Sequence, residues 1–181
     1  MAETTCLFCN ASTGKAKLEK IYEDEKMIAV MHPNPAALGH VLVFPKKHYQ
    51  IVEQIPDYEI ADLFKKINKI SIAVFEGART QGTNIIVQNG VAAAQKIPHV
   101  CFHVIPRTEN DGLNLQWQPK QLTEEEMSTI ELKIKEETAN IGGFETEEKK
   151  EPIKLEKSAE KIEEKEGEEE NYLIKQLRRI P

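Results

Sequence analysis

The sequence predicts an α+β fold: a five-stranded antiparallel sheet that carries one major helix, then a second helix toward the C-terminus and an extended charged tail. Three observations predict this fold. Short apolar runs separated by turn residues fill residues 6–50, a helical spacing of apolar residues replaces them over 57–78, and strand character returns over 84–105.

The early apolar runs predict a meander of antiparallel strands. They cover residues 18–22, 27–31 and 40–45, and two prolines and a glycine separate the last two runs. Such breaks are typical of turns between consecutive strands.

A change of period predicts the major helix over residues 57–78. Apolar residues recur there at spacings of three and four: Ile60, Leu63, Phe64, Ile67, Ile70 and Val74. Asp57 follows Pro56 and is the predicted N-cap, and we expect the helix to end near Gly77.

Two further strands, over 84–88 and 97–105, form a predicted hairpin around the loop 89–96. A second helix is expected from Thr123, because Thr123 and Glu126 have the spacing of a capping box. In that helix Met127, Ile130 and Ile134 are expected to point inward, and the helix should end before Gly142 and Gly143.

The acidity of the chain belongs to its tail. Residues 145–170 contain twelve acidic and six basic residues, a balance of −6 that equals the −6 of the whole chain. We therefore predict a globular domain over 1–142, a charged linker or solvated helix over 143–170, and a short apolar docking segment over 171–181. That last segment suits three interpretations: it docks onto its own domain, it docks across a dimer, or it captures another protein.

Polar and apolar residues alternate over residues 99–107. On a strand, His99, Cys101 and His103 would share one face, and Val100, Phe102 and Val104 would fill the core on the other. This run resembles the signature of the histidine-triad (HIT) family, in which three histidines alternate with apolar residues and the middle one is the nucleophile in nucleotidyl transfer. Cys101 stands here in place of that histidine.

Other separated pieces carry the same resemblance. They are the CxxC pair Cys6 and Cys9, the stretch from Gly39 to His48 with its Pro-Lys-Lys, and Gln88-Asn89-Gly90 followed by Gln95. The resemblance spans residues 6–107 and implies a two-fold homodimer in which paired sheets and helices share one core.

Two thiols and two imidazoles, from Cys6, Cys9, His48 and His99, form a ligand set that satisfies tetrahedral zinc and leaves no open position. Such a filled site is structural, and the set resembles the zinc site of one branch of the HIT family. The alternative is an incidental CxxC, with His99 a hydrogen-bonded strand residue.

The resemblance also implies a nucleotide site. Asn89 and Gln95 are expected to contact the ribose-side and phosphate oxygens, and His103 could donate to a phosphate oxygen. For Asn89, next to a glycine, turn formation is an equally good interpretation. Where the family commonly has an acidic residue for the ribose hydroxyls, this chain has His32 and Asn34, either of which could bind a hydroxyl.

Cys101 and His103 are the candidate catalytic residues, and three hypotheses stay open for Cys101. Its thiolate could attack phosphorus, helped by a depressed pKa beside His103; the protein could bind nucleotide without turnover; or the thiol could attack carbon in another substrate. Because the shorter side chain moves the attacking atom, we expect weak inherited hydrolysis.

These features predict a nucleotide-binding protein of the nucleotidyl hydrolase and transferase class, acting on nucleoside phosphoramidates or dinucleoside polyphosphates. The alternatives are a non-catalytic nucleotide sensor or adaptor that uses its tail, and a Cys101-dependent enzyme. Expected partners are a purine nucleotide or its conjugate and a second copy of the chain. Composition disfavours duplex nucleic acid and membranes and favours the cytoplasm.

Overall fold

The computed structural model describes residues 6–139 and 141–143. Five strands form one antiparallel sheet in the order β1-β2-β3-β5-β4, which confirms the predicted fold class. The elements are α1 (Leu7–Ser12), β1 (Lys20–Glu23), β2 (Met27–Met31), β3 (Val41–Pro45), α2 (Asp57–Gly77), β4 (Gly82–Val87), β5 (Phe102–Arg107) and α3 (Glu124–Thr138), with single 3-10 turns at Val52–Gln54 and Val91–Ala93.

The two faces of the sheet bury different cores. On one face α2 packs through Leu63, Ile67 and Val74 against the fully buried Val100, Phe102 and Val104. This confirms the predicted core side of the 99–107 run. On the other face α1 covers a smaller core that contains both cysteines of the CxxC pair.

The strand β5 begins at Phe102, later than the predicted 97. Residues 97–101 are held by bonds outside the ladder: the Val100 amide donates to the Tyr49 carbonyl at 2.8 Å, and the His99 amide donates to the Ile97 carbonyl at 2.8 Å. His99 and Cys101 therefore lie on the approach to the strand, and only His103 lies within it.

The helix α2 starts as predicted, but Asp57 is not its N-cap. Pro56 occupies the cap position, and its carbonyl accepts the Glu59 and Ile60 amides at 2.9 and 3.0 Å. A fixed proline φ suits this entry, and Asp57 instead places its charge in the first turn, where the helix dipole favours it.

The helix α3 has the predicted capping box. Thr123 accepts the Glu126 amide, and the Glu126 carboxylate accepts the Thr123 amide. The prediction that Met127, Ile130 and Ile134 point inward is wrong, since they are 52%, 48% and 55% exposed. Within the described residues, no part of this chain covers the apolar side chains of α3.

The predicted docking segment 171–181 and almost all of the linker 143–170 lie outside the described residues. In the part of the chain that the structure describes, no helix is both long enough and apolar enough to cross a bilayer.

Candidate active site and metal centre

Four predicted metal ligands meet on the α1 side of the sheet. Cys6 immediately precedes α1 and Cys9 lies in its first turn, so the CxxC spacing puts both thiols on one side of the helix. His48 follows β3 and His99 precedes β5. The sheet order makes β3 and β5 neighbours, which brings the two imidazoles to the same thiols.

The spacing of these four side chains suits a tetrahedral ion. The sulfur of Cys9 lies 3.2 Å from His48 Nδ1 and 3.6 Å from His99 Nδ1, and the sulfur of Cys6 lies 3.4 Å from His99 Nδ1. Zinc bonds to sulfur of about 2.3 Å and to nitrogen of about 2.0 Å imply S···N separations of roughly 3.6 Å. All four ligand atoms lie within 4.8 Å of one another.

The hydrogen bond behind His99 supports the same conclusion. Its Nε2–H donates to the Pro45 carbonyl at 2.9 Å, which leaves Nδ1 free of a proton and directed at the thiols. Burial lowers the pKa of His99 to about 4, so the ring is the neutral base that a metal requires. The residues present fit a zinc ion.

A second cluster of imidazoles forms where β2, β3 and β5 lie side by side. His32 follows β2, His40 precedes β3 and His103 lies in β5. The His32 and His40 rings stack with centroids 4.4 Å apart, and His40 Nε2 lies 3.1 Å from His103 Nδ1. The sequence pattern predicted His32 and His103 as site residues, and the fold adds His40 between them.

Backbone amides fix the orientation of these rings. The Ala36 amide donates to His40 Nδ1 at 3.1 Å, and the Asn34 amide donates to His32 Nδ1 at 2.9 Å. A ring nitrogen that accepts an amide proton carries none, so each neutral ring holds its proton on Nε2. His40 then donates from Nε2 to His103 Nδ1, and His103 in turn carries its own proton on Nε2.

Burial keeps this cluster uncharged near neutral pH. It lowers the pKa of His40 to about 4, and the neighbouring His32 and His103 lower it further. Burial also lowers the pKa of His103, with a contribution from His32, and that of His32, with a contribution from Lys96. The cluster therefore presents neutral N–H donors.

Gly39 sets the position of His40. Its φ of +91° lies in the left-handed region, and a Cβ there would meet the Ala78 Cβ at 3.2 Å and the Pro106 Cγ at 3.4 Å. Only glycine combines that backbone conformation with such a close approach. The turn lets the His32 amide donate to the His40 carbonyl at 2.9 Å, which holds the two stacked residues together.

Asn89 and Gln95 hold the loop that leads to β5. The Asn89 amide group donates to both Glu53 oxygens at 2.8 and 3.0 Å, and its carbonyl accepts the Val52 amide at 3.3 Å. Gln95 accepts the Gly90 amide at 2.7 Å and donates to the Gln50 and Ile97 carbonyls at 2.7 and 3.0 Å. To contact a phosphate, either side-chain amide has to leave these partners.

Lys96 lies beside this loop. It lines a hollow with Cys6, Leu7, His48, Gln50, Ile97 and Pro98, and its charge acts on His32. The lysine therefore brings a cation to the region between the two clusters. Asn34, the other residue predicted to bind a hydroxyl, is exposed and contributes its backbone amide to His32.

A family model described as the HIT domain matches residues 13–110, which is more than half of the 181 residues. The chain belongs to the HIT family. An uncharacterized HIT-like protein of Methanocaldococcus jannaschii is 40% identical over 107 residues, a match that covers 59% of this chain and 82% of that protein.

Two other HIT proteins extend the comparison. The adenosine 5'-monophosphoramidase of Candida albicans is 29% identical over 145 residues, covering 77% of this chain and 95% of that protein. The crystal structure of a Zn-bound histidine triad family protein from Mycobacterium smegmatis has a TM-score of 0.59 and 33% identity, and the match covers 65% of this chain and 86% of that one.

At the position of the central HIT histidine, the Cys101 thiol is partly buried and packs against the α1 core. Burial raises its pKa well above the ordinary value, against a smaller lowering by a backbone hydrogen bond from Val43. The hypothesis of a depressed pKa is therefore wrong for this HIT protein. Its neighbour His103 is uncharged and supplies no cation to stabilise a thiolate.

Sequence reasoning missed two residues of the candidate site. His40 lies in the Gly39–His48 stretch that carried the resemblance, but its contact with His103 depends on the pairing of β3 with β5, in which Leu42 lies opposite His103. Lys96 adjoins Gln95, and a basic residue next to a predicted nucleotide contact was the available signal.

Proposed function

We propose that this HIT protein binds a purine nucleotide beside Cys101 and His103, and that it slowly hydrolyses nucleoside phosphoramidates or dinucleoside polyphosphates. The observation that carries the proposal is the hydrogen-bonded series from the Ala36 amide through His40 to His103. It supports His103 as a neutral Nε2–H donor to a phosphate oxygen or a leaving group. The monophosphoramidase name of the Candida albicans relative supports the substrate class.

The chemistry we assign to Cys101 is displacement at the α-phosphorus. The sulfur forms a P–S bond as the bond to the leaving group breaks. The leaving group takes the Nε2 proton of His103, and the thiol proton then replaces it on Nε2. Water then cleaves the P–S bond and releases the nucleoside monophosphate. Because burial keeps the thiol protonated, this first step is slow.

Zinc completes the proposed HIT site as a structural ion. Cys6, Cys9, His48 and His99 would hold it, and the ion would anchor α1 and the segments beside β3 and β5. With four protein ligands it would have no position for substrate. The metal would thus stiffen one wall of the cleft, and the reduced thiols that it needs suit a cytoplasmic location.

Replacement of Cys101 tests the proposed reaction. Cys101→His restores an imidazole nucleophile and should raise the rate of adenosine 5'-monophosphoramidate hydrolysis about a hundredfold, because a misplacement on the order of 1 Å costs about that much. Cys101→Ser, of similar size but weaker as a nucleophile, is the matched control and should be slower than the parent. If the histidine variant is as inactive as the serine variant, the inherited reaction does not occur in this cleft.

A sensor that binds nucleotide without turnover is the second candidate. The raised pKa of Cys101 favours it, since a protonated thiol is a much weaker nucleophile than a thiolate. Calorimetry should then show AMP binding without consumption of a phosphoramidate, and removal of residues 144–181 should abolish partner capture but keep nucleotide affinity. The same raised pKa argues against the hypothesis of a Cys101-dependent enzyme on another substrate. Fast alkylation of Cys101 at neutral pH would support that hypothesis.

We also propose a two-fold homodimer. The edge strand β4 and the neighbouring face of α2 expose apolar side chains: Phe64, Ile72, Phe75, Ile85 and Val87. Pairing of this surface with a second copy would cover it, and the apolar side chains of α3 could pack across the pair. Sedimentation should show a dimer that Phe75→Asp dissociates, whereas Lys65→Asp on the same helix should leave it intact. A monomeric parent chain would contradict the proposal.

A further inference from the structure

The two cysteines of the CxxC pair are placed to bond to each other as well as to a metal. Cys6 and Cys9 begin one helical turn, in which the Asn10 amide donates to the Cys6 carbonyl at 3.0 Å. Residues three apart in such a turn have Cα atoms roughly 5 Å apart, inside the range of about 4.4–6.8 Å that a disulfide requires. The two sulfurs lie within 4.8 Å of each other. Small side-chain rotations are therefore enough to join them.

A hollow of about 340 Å³ gives small molecules access to this pair. Cys6 and His48 line the hollow from the side of the metal centre. Leu7, Lys96 and Pro98 also line it, and because all three are exposed, the hollow opens to solvent. Cys6 is therefore the thiol that a small oxidant in the hollow meets first.

A hydroperoxide oxidises the two sulfurs in a balanced reaction. The Cys6 thiolate attacks the O–O bond, keeps one oxygen as a sulfenic acid, and releases the other as water or an alcohol. The Cys9 thiolate then attacks the Cys6 sulfur, the S–S bond forms, and the sulfenic oxygen leaves as water. Each leaving oxygen takes one proton from the solvent. The two sulfurs together lose two electrons, and the two peroxide oxygens gain them.

A disulfide removes half of the ligand set. Zinc binds cysteine as the thiolate, and a disulfide sulfur carries no negative charge. Only His48 and His99 would remain to hold the ion, whereas a structural zinc ion uses four ligands. Oxidation of the pair therefore releases the ion, so the two negative charges of the thiolates and the two positive charges of the metal leave the site together.

Loss of the ion also affects the approach to β5. Through the proposed metal, His99 joins α1 to the segment 97–101, which precedes the strand. Ile97 and Cys101 lie at the two ends of that segment, and both pack against the α1 core. A released α1 therefore loosens one wall of the proposed nucleotide cleft.

We propose that Cys6 and Cys9 form a peroxide-sensitive switch, in which their oxidation to a disulfide releases zinc and weakens nucleotide binding. The inference rests on the proposed structural zinc ion, and its effect on nucleotide rests on the proposed function. The oxidant is a hydroperoxide, either hydrogen peroxide or an organic one. A thiol reductant together with zinc reverses the switch.

Oxidation of the zinc-loaded full chain by hydrogen peroxide tests the proposal. The test uses Cys101→Ser, in which Cys6 and Cys9 are the only cysteines of the sequence, so an intramolecular disulfide has one possible pairing. A chromogenic zinc chelator measures the released metal, and intact mass spectrometry measures the oxidation. We expect one zinc ion released per chain and a polypeptide lighter by two hydrogen atoms. Dithiothreitol and added zinc should reverse both changes.

Cys9→His in the same background is the matched control, because it keeps four ligands but removes the second thiol. Three imidazoles still hold the ion when Cys6 is oxidised, so peroxide should release zinc at least tenfold more slowly. The Cys6 sulfenic acid should persist and react with dimedone. A zinc count before oxidation checks that this variant is loaded; if it is not, the disulfide and the zinc release in Cys101→Ser decide the test.

AMP calorimetry on the reduced and oxidised forms of Cys101→Ser measures the effect on the cleft. The oxidised form should bind AMP at least tenfold more weakly, and reduction with zinc should restore the affinity. Zinc that stays bound in peroxide, or zinc release with added oxygen atoms and no disulfide, overturns the switch. Equal AMP affinity of the two forms overturns its link to the cleft and leaves the proposed function in place. If neither form binds AMP but the disulfide still releases zinc, the proposed function fails and the thiol switch stands.

Discussion

Removal of zinc should lower the stability of the fold by several kcal/mol. The proposed ligand set joins Cys6 and Cys9, at the start of the described chain, to His99, which lies 93 and 90 residues away in sequence. Three of the ligands, Cys6, Cys9 and His99, are buried in or beside the α1 core, so loss of the ion would leave these polar groups buried without the metal that binds them.

The magnitude follows from mass action. At free zinc of about a thousand times the dissociation constant, the bound ion stabilises the native state by about 4 kcal/mol. A domain of this size shifts its Tm by about 2–4 °C per kcal/mol, or by up to about 8 °C for a domain nearer a hundred residues. Chelation should therefore lower the Tm by roughly 8 to 30 °C.

Differential scanning calorimetry with and without a chelator measures this shift, and atomic absorption counts the metal. Cys9→Ser should lower the Tm to that of the chelated parent and abolish the response to chelator. Cys101→Ser is the control, because Cys101 lies outside the four-ligand cluster and should keep one zinc per chain. If neither the chelator nor Cys9→Ser changes the Tm, the proposal of a structural zinc ion is refuted.

Two further predictions concern the placement of His40. Gly39→Ala should destabilise the fold by about 1 to 3 kcal/mol in urea unfolding, because the added Cβ meets Ala78 at 3.2 Å in a left-handed backbone conformation; an unchanged midpoint would contradict that strain. His40→Ala should weaken AMP binding at least tenfold in calorimetry and should shift the His103 imidazole to a mixture of tautomers in ¹⁵N NMR, because His103 Nδ1 loses its donor at 3.1 Å. His40→Gln should restore part of both effects. An unchanged His103 signal in the alanine variant would contradict the assigned proton positions.

Periodicity and local chemistry made much of the fold predictable. The β2 run over 27–31, the α2 face and the burial of Val100, Phe102 and Val104 follow from side-chain alternation and helical spacing. The ligand set of Cys6, Cys9, His48 and His99 was predictable as a group because thiols and imidazoles at those positions resemble a known motif. Their approach to within 4.8 Å required the pairing of β3 with β5.

The wrong predictions have physical causes that cannot be read from the sequence alone. The amphipathic spacing in α3 indicates that Met127, Ile130 and Ile134 need a surface to pack against. It does not indicate whether that surface belongs to the same chain. Asp57 is a good capping type, yet Pro56, whose ring fixes φ, occupies the cap position itself. The pKa of Cys101 depends on its burial against the α1 core, and neighbours in sequence do not determine burial.

The position of a bound nucleotide tests the central claim most directly. A crystal structure of the zinc-loaded full chain with AMP should show the α-phosphate within hydrogen-bond distance of His103 Nε2 and next to the Cys101 sulfur, with the metal on Cys6, Cys9, His48 and His99. Nucleotide bound away from β5, or a cleft that takes up no AMP at saturating concentration, would contradict the account.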